Sequence, residues 1–377
     1  MLSELYVSQF TVFRDAKFRF SEGLNVIVGD NGTGKTHLLK LAYLFGRAWP
    51  DLQSKRLRVT QKSAEAYLAE RLAGLFRTSD LGLLIRKGHR NGARLKANVH
   101  GHIPTVSVRT ANEPAPTSPG LHEAMPWTVV IRRAQGVGAL STEVLPEAVP
   151  DSAANNAFLP RQVFVPSKEM VSLFKGLIGL FETYRDFPLD DTYRDLAVAM
   201  STLEPREPSP LLLGVTQDIQ RLLGGQLKLE QDELVFVQED GSRLLSQLLA
   251  EGHRKLAMLV YLLRNGLIEP GSTLFWDEPE ANLNPSAVKL LIRALHLLSG
   301  RGVQVILATH SLFLLREVEI LQGSSKTAVE PRPRYFSLGL GRQGVEVSQG
   351  EDIAEVDPLV LLDESLKQSD RYLESSR

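Results

Sequence analysis

A glycine-rich octapeptide near the start of the chain has the residue types needed to bind phosphate. The stretch GDNGTGKT, residues 29–36, matches the pattern G-x-x-x-x-G-K-[ST] in full. Glycines let the backbone curl so that N–H groups point at phosphate oxygens, and a following helix adds the positive end of its dipole. Lys35 could then reach the outer phosphates of a nucleotide, and Thr36 could ligate Mg²⁺. A chance glycine-rich turn is the alternative, but the buried strand before the motif and the helix after it favour a phosphate loop.

The predicted nucleotide contacts in this loop are Gly29, Asp30, Asn31, Gly32, Thr33, Gly34, Lys35, Thr36 and His37.

Acidic residues follow the hydrophobic run Leu-Phe-Trp at 274–276. Phosphoryl transfer to water needs a carboxylate near the metal and a group that orients the attacking water. We expect Asp277 to hold Mg²⁺ through water, Glu278 to polarise the attacking water, and Glu280 to be only the solvated edge of the turn. The alternative is an acidic loop with no catalytic role. The phosphate loop elsewhere in the chain makes that alternative weaker, because a phosphate loop and metal-side carboxylates are needed together for hydrolysis.

A histidine ends the next hydrophobic run, VQVILATH at 303–310. In an open α/β sheet the carboxyl ends of the strands converge on the ligand crevice. We therefore expect His310 to lie near Asp277 and to reach the terminal phosphate. The alternative is a polar residue at a strand end that serves only the fold.

These residues need a sheet of buried strands with intervening helices to bring them together. The apolar runs and helical periodicities predict such an α/β core from residues 1–55 and 230–330. Residues 56–229 are predicted to form an inserted lobe, strand-like over 81–145 and mostly helical over 168–225. Residues 331–377 are predicted to form a closing hairpin and a helix.

Composition narrows the function classes. The chain has 377 residues, a formal net charge of −1 and no cysteine. The missing cysteines exclude disulfides, thiolate catalysis and iron–sulfur clusters. The charge supplies no overall positive field for DNA or an anionic membrane, although a local basic patch stays possible. The N-terminus does not read as a secretory signal, and no run approaches the ~20 apolar residues of a membrane span. We expect a cytoplasmic protein.

The motifs together resemble the ABC-type ATPase head, most closely its SMC/RecF/OLD branch, over about residues 1–40 and 230–315. The resemblance implies a P-loop NTPase fold with a mixed sheet, an antiparallel β lobe and a helical insertion. It implies that residues 29–36 are Walker A, that Asp277 and Glu278 are Walker B and the catalytic base, and that His310 is the switch histidine. It makes Lys35 a catalytic residue and places the stretch FTVFRDAKFRF, residues 10–20, near the adenine.

The resemblance also implies two segments that act across a dimer interface. Residues 282–284 (Asn-Leu-Asn) occupy the place of the D-loop, so Asn284 is a candidate nucleotide contact. The stretch LLAEGHRKLAMLVYLL, residues 248–263, holds the place of the signature loop and the helix that it opens. Leu249, Glu251 and Gly252 match the variant Leu-Ser-Glu-Gly, whereas Ala250 and His253 depart from the family pattern and remove the serine hydroxyl. Backbone N–H groups at Gly252, aided by His253 or Arg254, could still bind a partner's nucleotide; an ordinary helix start is the alternative.

No clear Q-loop is present. Lys168 and Glu169 follow the strand-like stretch at 163–166 and could approach the metal, or they could be a solvated helix start.

The resemblance implies an ATPase that uses ATP and Mg²⁺, dimerises or forms a higher oligomer on ATP, and switches a separate effector. An OLD/Septu-like role in antiphage defence is the leading expectation. OLD enzymes carry a C-terminal Toprim nuclease, and only about 67 residues follow His310, so any nuclease is expected on another chain. The alternative is a RecF-like ATPase that binds DNA in repair. A transporter subunit is disfavoured by the altered signature, and no membrane partner is expected.

Overall fold

The computed structural model describes residues 1–54, 60–89, 92–100, 124–134, 137–144, 161–184, 187–201, 209–324, 330–357 and 360–375. The strands are β1 Leu2–Phe10, β2 Phe13–Arg19, β3 Leu24–Gly29, β4 Ala93–His100, β5 Ala124–Ala134, β6 Val137–Val144, β7 Gln162–Val165, β8 Gly225–Glu230, β9 Glu233–Gln238, β10 Arg243–Leu245, β11 Thr273–Asp277, β12 Gln304–Thr309, β13 Arg334–Gly341 and β14 Gly344–Gly350. The helices are α1 Lys35–Ser54, α2 Gln61–Phe76, α3 Leu177–Thr183, α4 Asp191–Ser201, α5 Leu213–Leu223, α6 Glu251–Arg264, α7 Pro285–Ser299, α8 Leu312–Gly323 and α9 Val360–Ser375.

A six-stranded mixed sheet carries the phosphate loop and the acidic turn. Its order is β14-β13-β3-β12-β11-β7, and all neighbours are parallel except the β13–β14 hairpin. The middle strands are buried on both faces, as continuous apolar runs in parallel sheets usually are. Because β12 lies between β3 and β11, the carboxyl ends of these three strands adjoin at one edge of the sheet.

Antiparallel strands form two further sheets, with orders β2-β1-β4-β5-β6 and β10-β9-β8. The predicted combination of a mixed sheet with an antiparallel lobe is therefore confirmed. The central sheet takes β7 from the predicted insertion and β13–β14 from the predicted C-terminal segment. Sheet membership thus crosses the predicted segment boundaries, and the division into domains stays a prediction.

One part of the predicted strand-like stretch over 81–145 was wrong. Residues Leu81–Leu84 form a short 3₁₀ helix, because the carboxylate of Asp80 accepts a hydrogen bond from Gly82 N at 2.7 Å and starts a turn there. Residues 101–123, also part of that stretch, lie outside the described residues.

Two hydrophobic layers cover the central sheet. On one face, alternate residues such as Val26, Trp276 and Leu307 pack with helices α4 to α8. On the other face, Ile27 and Phe275 pack with α1, α2 and the five-stranded sheet. The alternation follows the two-residue repeat of a strand and holds the three adjoining strand ends in a fixed arrangement.

Helices α7 and α8 follow the loops at this sheet edge, and a residue of each loop caps the helix that follows it. Asn284 Oδ1 accepts from Ala287 N at 2.9 Å and caps α7, with Pro285 at the first helical position. Ser311 Oγ accepts from Leu314 N at 3.2 Å and caps α8. Each loop is thereby held at its carboxyl-terminal end as well as by its strand.

Within the described part of the chain, no helix has the length and apolarity to cross a membrane.

Candidate active site

The loop between β3 and α1 has a backbone that requires glycine at defined places. Gly29, Gly32 and Gly34 have φ angles of 154°, 83° and 90°. A Cβ at Gly29 would lie 2.5 Å from the carbonyl oxygen of Leu338, and one at Gly34 would lie 2.7 Å from Val12 Cγ2. Conformation and close packing both exclude side chains at Gly29 and Gly34, which explains the spacing of these glycines in the motif.

Lys35 is buried inside this loop. Its Nζ donates to the carbonyl oxygens of Gly29 at 2.7 Å and Asp30 at 3.0 Å, and the residue is 7 % exposed. Burial lowers the pKa of the Lys35 ammonium, while the carboxylates of Glu278 and Asp277 oppose that shift. The ammonium is therefore held by neutral partners and lies in the field of the acidic turn.

Thr36 and Asp277 meet although they are 241 residues apart in the chain. Thr36 Oγ1 donates to Asp277 Oδ2 at 2.8 Å. Burial raises the pKa of Asp277 to about 6, and the Thr36 hydrogen bond acts against the shift. The described residues hold no group of three or more His, Asp or Glu side chains that could bind a metal by themselves. One carboxylate and one hydroxyl fit Mg²⁺, which keeps several waters and takes substrate phosphates as ligands.

Glu278 and His310 form a pair beside this site. Glu278 has a φ of 50°, and its N–H donates to Ala308 O at 2.9 Å, so the acidic turn is tied to the end of β12. His310 Nδ1 lies 3.3 Å from Glu278 Oε1, and the two side chains are 50 % and 33 % exposed. The expected proximity of His310 to the acidic turn is thus present in the structure, with both side chains open to solvent.

The expectation that Glu280 is a solvated edge of the turn was wrong. Glu280 is 8 % exposed, and its Oε1 accepts from Thr309 Oγ1 at 2.6 Å and from His310 N at 3.3 Å. The turn folds back over the end of β12, so the third residue after Asp277 meets Thr309. No spacing in the sequence shows this contact, because it depends on β11 and β12 being neighbours in register.

The segments predicted for the signature loop and the D-loop pack on each other in the same chain. Asn282 Nδ2 donates to Glu251 Oε1 at 2.8 Å. A Cβ at Gly252 would lie 2.7 Å from Leu283 Cδ2, so glycine there permits close approach. Ala250 occupies the N-cap position of α6 without a side-chain cap. In the described residues, neither Gly252 nor Asn284 hydrogen-bonds the phosphate loop; Asn284 caps α7 instead.

The two Q-loop candidates differ in their surroundings. Lys168 is exposed. The Glu169 carboxylate is buried, accepts from Arg254 Nε at 2.8 Å, and also accepts from the N–H groups of Val171 and Ser172. Arg254 Nη1 in turn donates to Leu249 O at 2.6 Å. Glu169 therefore serves the start of α6.

A cavity of about 520 Å³ adjoins the phosphate loop through His37. It is lined by Thr11, His37, Phe76, Leu83, Leu84, Ile85 and Lys87. His37 Nδ1 lies 3.0 Å from Thr11 Oγ1, and its ring packs edge-on against Phe76 with centroids 5.3 Å apart. Burial lowers the pKa of His37 to about 4, helped by Lys40, so the ring is neutral near pH 7. No motif in the sequence marks Phe76 or Lys87 as part of this cavity.

Comparisons with known proteins match two parts of the chain and the whole fold. Family models described as "AAA domain, putative AbiEii toxin, Type IV TA system" and "AAA domain" match residues 171–316 and 4–69. The DNA replication and repair protein RecF of Symbiobacterium thermophilum is 34 % identical over 97 residues, which cover 26 % of each chain. RecF of Salmonella typhi is 38 % identical over 85 residues, covering 22 % of this chain and 23 % of that one. The chain thus matches about a quarter of the length of these relatives.

A solved SMC head, bound to the C-winged helix domain of ScpA, superposes with a TM-score of 0.53 at 14 % identity. The match covers 93 % of this chain and 97 % of the other. The fold is that of an ABC-type ATPase head. The resemblance expected from the motifs is confirmed for the SMC/RecF branch, and the AAA models indicate an ATPase. The OLD/Septu-like subtype stays a prediction.

Proposed function

We propose that the protein binds ATP with Mg²⁺ on residues 29–37 and hydrolyses it. The observation that carries the proposal is the meeting of Lys35, Thr36, Asp277, Glu278 and His310 at the adjoining ends of β3, β11 and β12. A phosphate loop, a metal-side carboxylate and a water-orienting acid are the parts that phosphoryl transfer to water requires.

Each residue has a role that its surroundings support. Lys35 would exchange the carbonyls of Gly29 and Asp30 for phosphate oxygens. Thr36 and Asp277 would hold Mg²⁺, and the ion, when bound, would neutralise charge on the phosphates. Glu278 is accessible enough to take a proton from water, and His310 beside it could orient the same water or the terminal phosphate.

The base of the nucleotide would enter the cavity beside His37. The cavity is lined by His37, the residue after the phosphate loop, and by Thr11, Phe76 and Lys87. A neutral imidazole stacks on a purine without an electrostatic cost.

Dimerisation on ATP is the second part of the proposal. Segments next to the site expose large apolar side chains: Leu248 is 68 % exposed, Leu245 49 % and Phe313 42 %. Leu248 and Leu245 precede α6, whose Glu251 accepts from Asn282 beyond the acidic turn, and Phe313 follows His310. A second head seated there would cover them and would complete each site with the start of α6.

Glu278→Gln tests both parts. The amide keeps the size of the side chain and cannot take a proton, so ATP should bind as in the parent while turnover falls by at least about 100-fold. Size-exclusion chromatography with light scattering should show an ATP-dependent dimer that persists in this variant. Turnover at the parent rate would overturn the catalytic assignment, and a monomer with ATP bound would overturn the dimer.

We infer further that the ATPase switches a separate effector, a nuclease being one option, in a cytoplasmic antiphage role. The RecF matches favour the alternative, an ATPase that binds DNA in repair. Duplex-DNA affinity measured at several salt concentrations, with and without ATP, separates the two. Affinity that rises with ATP and falls steeply with salt supports the alternative; an effector that co-purifies in an ATP-dependent manner supports the first reading.

A further inference from the structure

Glu280 is a buried acid that ties together the two turns of the active site. Its Oε1 accepts from Thr309 Oγ1 at 2.6 Å and from His310 N at 3.3 Å. His310 Nδ1 is 3.9 Å from the same oxygen and 3.3 Å from Glu278 Oε1. The chain that leads into the His310 side chain, at Thr309 Oγ1 and His310 N, is therefore anchored by a residue two positions after Glu278.

The turn that carries Glu280 is held from a second side by α6. Lys255, 2 % exposed, donates from Nζ to Ala281 O at 2.7 Å. Glu278 N donates to Ala308 O. The acidic turn is thus attached to β12 through Glu278 and Glu280, and to α6 through Ala281.

Burial of this carboxylate has no account in packing alone. Glu280 Oε2 is buried and has no hydrogen-bond partner among the described residues. A buried acid with an unsatisfied oxygen lowers stability relative to an apolar residue of similar size. The other oxygen, Oε1, accepts hydrogen bonds from Thr309 and from the backbone of His310. Because these two residues set the position of the His310 imidazole, the arrangement indicates a role for Glu280 in the site.

We propose that Glu280 is a positioning residue: it holds His310 against Glu278 by joining the acidic turn to the end of β12. The inference rests on the proposed ATPase function. Among the described residues Glu280 has no hydrogen bond to the phosphate loop, and its carboxylate acts on Lys35 only through its charge. Its main effect on turnover should therefore pass through His310. Removing it should lower kcat and leave the KM for ATP nearly unchanged.

A double-mutant cycle on kcat tests this route. Glu280→Ala should lower kcat by about 10- to 100-fold, the size expected when a catalytic group is misplaced by an ångström or less. In a His310→Ala background the same change should cost less than about twofold, because residues that act through each other are not additive. Glu280→Gln keeps an acceptor for Thr309 and should stay within about threefold of the parent. Glu239→Ala, at an exposed turn, is the matched control.

A second readout does not depend on turnover. With ¹³C-labelled histidine rings, the His310 signal is the one that His310→Ala removes. It should shift in Glu280→Ala and in Thr309→Val, which keeps the buried shape but loses the donor, and it should not move in Glu239→Ala. An unmoved His310 signal, or losses that simply add in the cycle, would overturn the role of Glu280. An inactive parent protein would instead overturn the proposed ATPase function, and the histidine signal would still decide the role of Glu280.

Discussion

The two ends of α1 hold buried charge in opposite ways. At its start, Lys35 donates to two backbone carbonyls and, among the described residues, forms no ion pair. Asp277 is buried nearby with one hydrogen bond to a hydroxyl. These charges lie close together without neutralising each other directly, and each would gain from a phosphate or a metal ion.

Further along the same helix the charges are paired. Asp195 on α4 lies 3.0 Å from Arg47 Nη1, accepts from Tyr43 OH at 2.8 Å, and is bound by both terminal nitrogens of Arg71 on α2. Arg47 also binds Asp51 one turn ahead. The network joins α1, α2 and α4. Charge at Arg47 and Asp195 is thus satisfied by partners within the fold, whereas charge at Lys35 and Asp277 keeps the capacity to bind a ligand.

The largest effect should come from removing the cation of the site. Lys35→Met keeps the length of the side chain and removes its charge, so ATP affinity should fall by about 100-fold, the worth of two charge-assisted hydrogen bonds. The free energy of unfolding should stay equal or rise, because no buried carboxylate loses a direct partner. Titration with a fluorescent ATP analogue and urea unfolding measure the two quantities; Lys228→Met on the exposed side of β8 is the control.

If Lys35 served the fold, Lys35→Met would lower the free energy of unfolding and leave the ATP affinity unchanged. The charges at the two ends of α1 would then have the same role.

Asp195→Asn should disrupt the network of ion pairs that Asp195 forms with Arg47 and Arg71. Two partly buried guanidinium groups would lose their shared carboxylate, although Arg47 keeps Asp51 and Arg71 keeps Asp191. The unfolding free energy should therefore fall by about 2–3 kcal/mol, less than the cost of breaking a fully buried pair. ATP affinity should change less than about threefold in protein that remains folded. Urea unfolding gives the stability, and ATP titration below the transition gives the affinity.

Asp218→Asn is the matched control for that change. Asp218 pairs with Arg221 at 3.1 Å, but the side chains are 53 % and 71 % exposed, so the loss should be under about 1 kcal/mol. Equal losses in the two variants would mean that the network at Asp195 stabilises no more than a surface pair.

Local motifs and a general rule of sheet topology were enough to find the residues that the structure brings together at the sheet edge. The loop at 29–36 needs only its own glycines and the helix after it. Asp277 and His310 follow buried strands, and carboxyl ends of neighbouring parallel strands converge. The mixed sheet and the antiparallel lobe were predicted from the resemblance of these motifs to the ABC-type ATPase head.

Contacts between distant segments could not be predicted in this way. Glu280 meets Thr309 only because β11 and β12 are neighbours in one register, and Glu169 meets Arg254 only because β7 ends beside α6. The pairing of β13 with β3 places the C-terminal hairpin in the central sheet, and no pattern in residues 334–350 specifies a partner strand. Hydrophobic periodicity indicates which face of a helix or strand is buried, but it does not identify the element that packs on that face.

The stability of Asp277→Asn tests whether the charge at the start of α1 is satisfied within the fold. Burial raises the pKa of Asp277 from 3.8 to about 6 in the folded chain. Between about pH 4 and pH 6 the folded protein keeps a proton that the unfolded chain has lost, so this residue lowers stability as pH rises through that window and the loss is complete above pH 6.

The asparagine can still accept from Thr36 and carries no buried charge. The variant should therefore be more stable than the parent by about 3 kcal/mol at pH 7.5, and about equal to it at pH 4, in urea unfolding. It should bind Mg²⁺–ATP poorly for the same reason that it is stable. A variant less stable than the parent at pH 7.5 would show that Asp277, like Asp195, is satisfied within the fold, and the two ends of α1 would then hold charge in the same way.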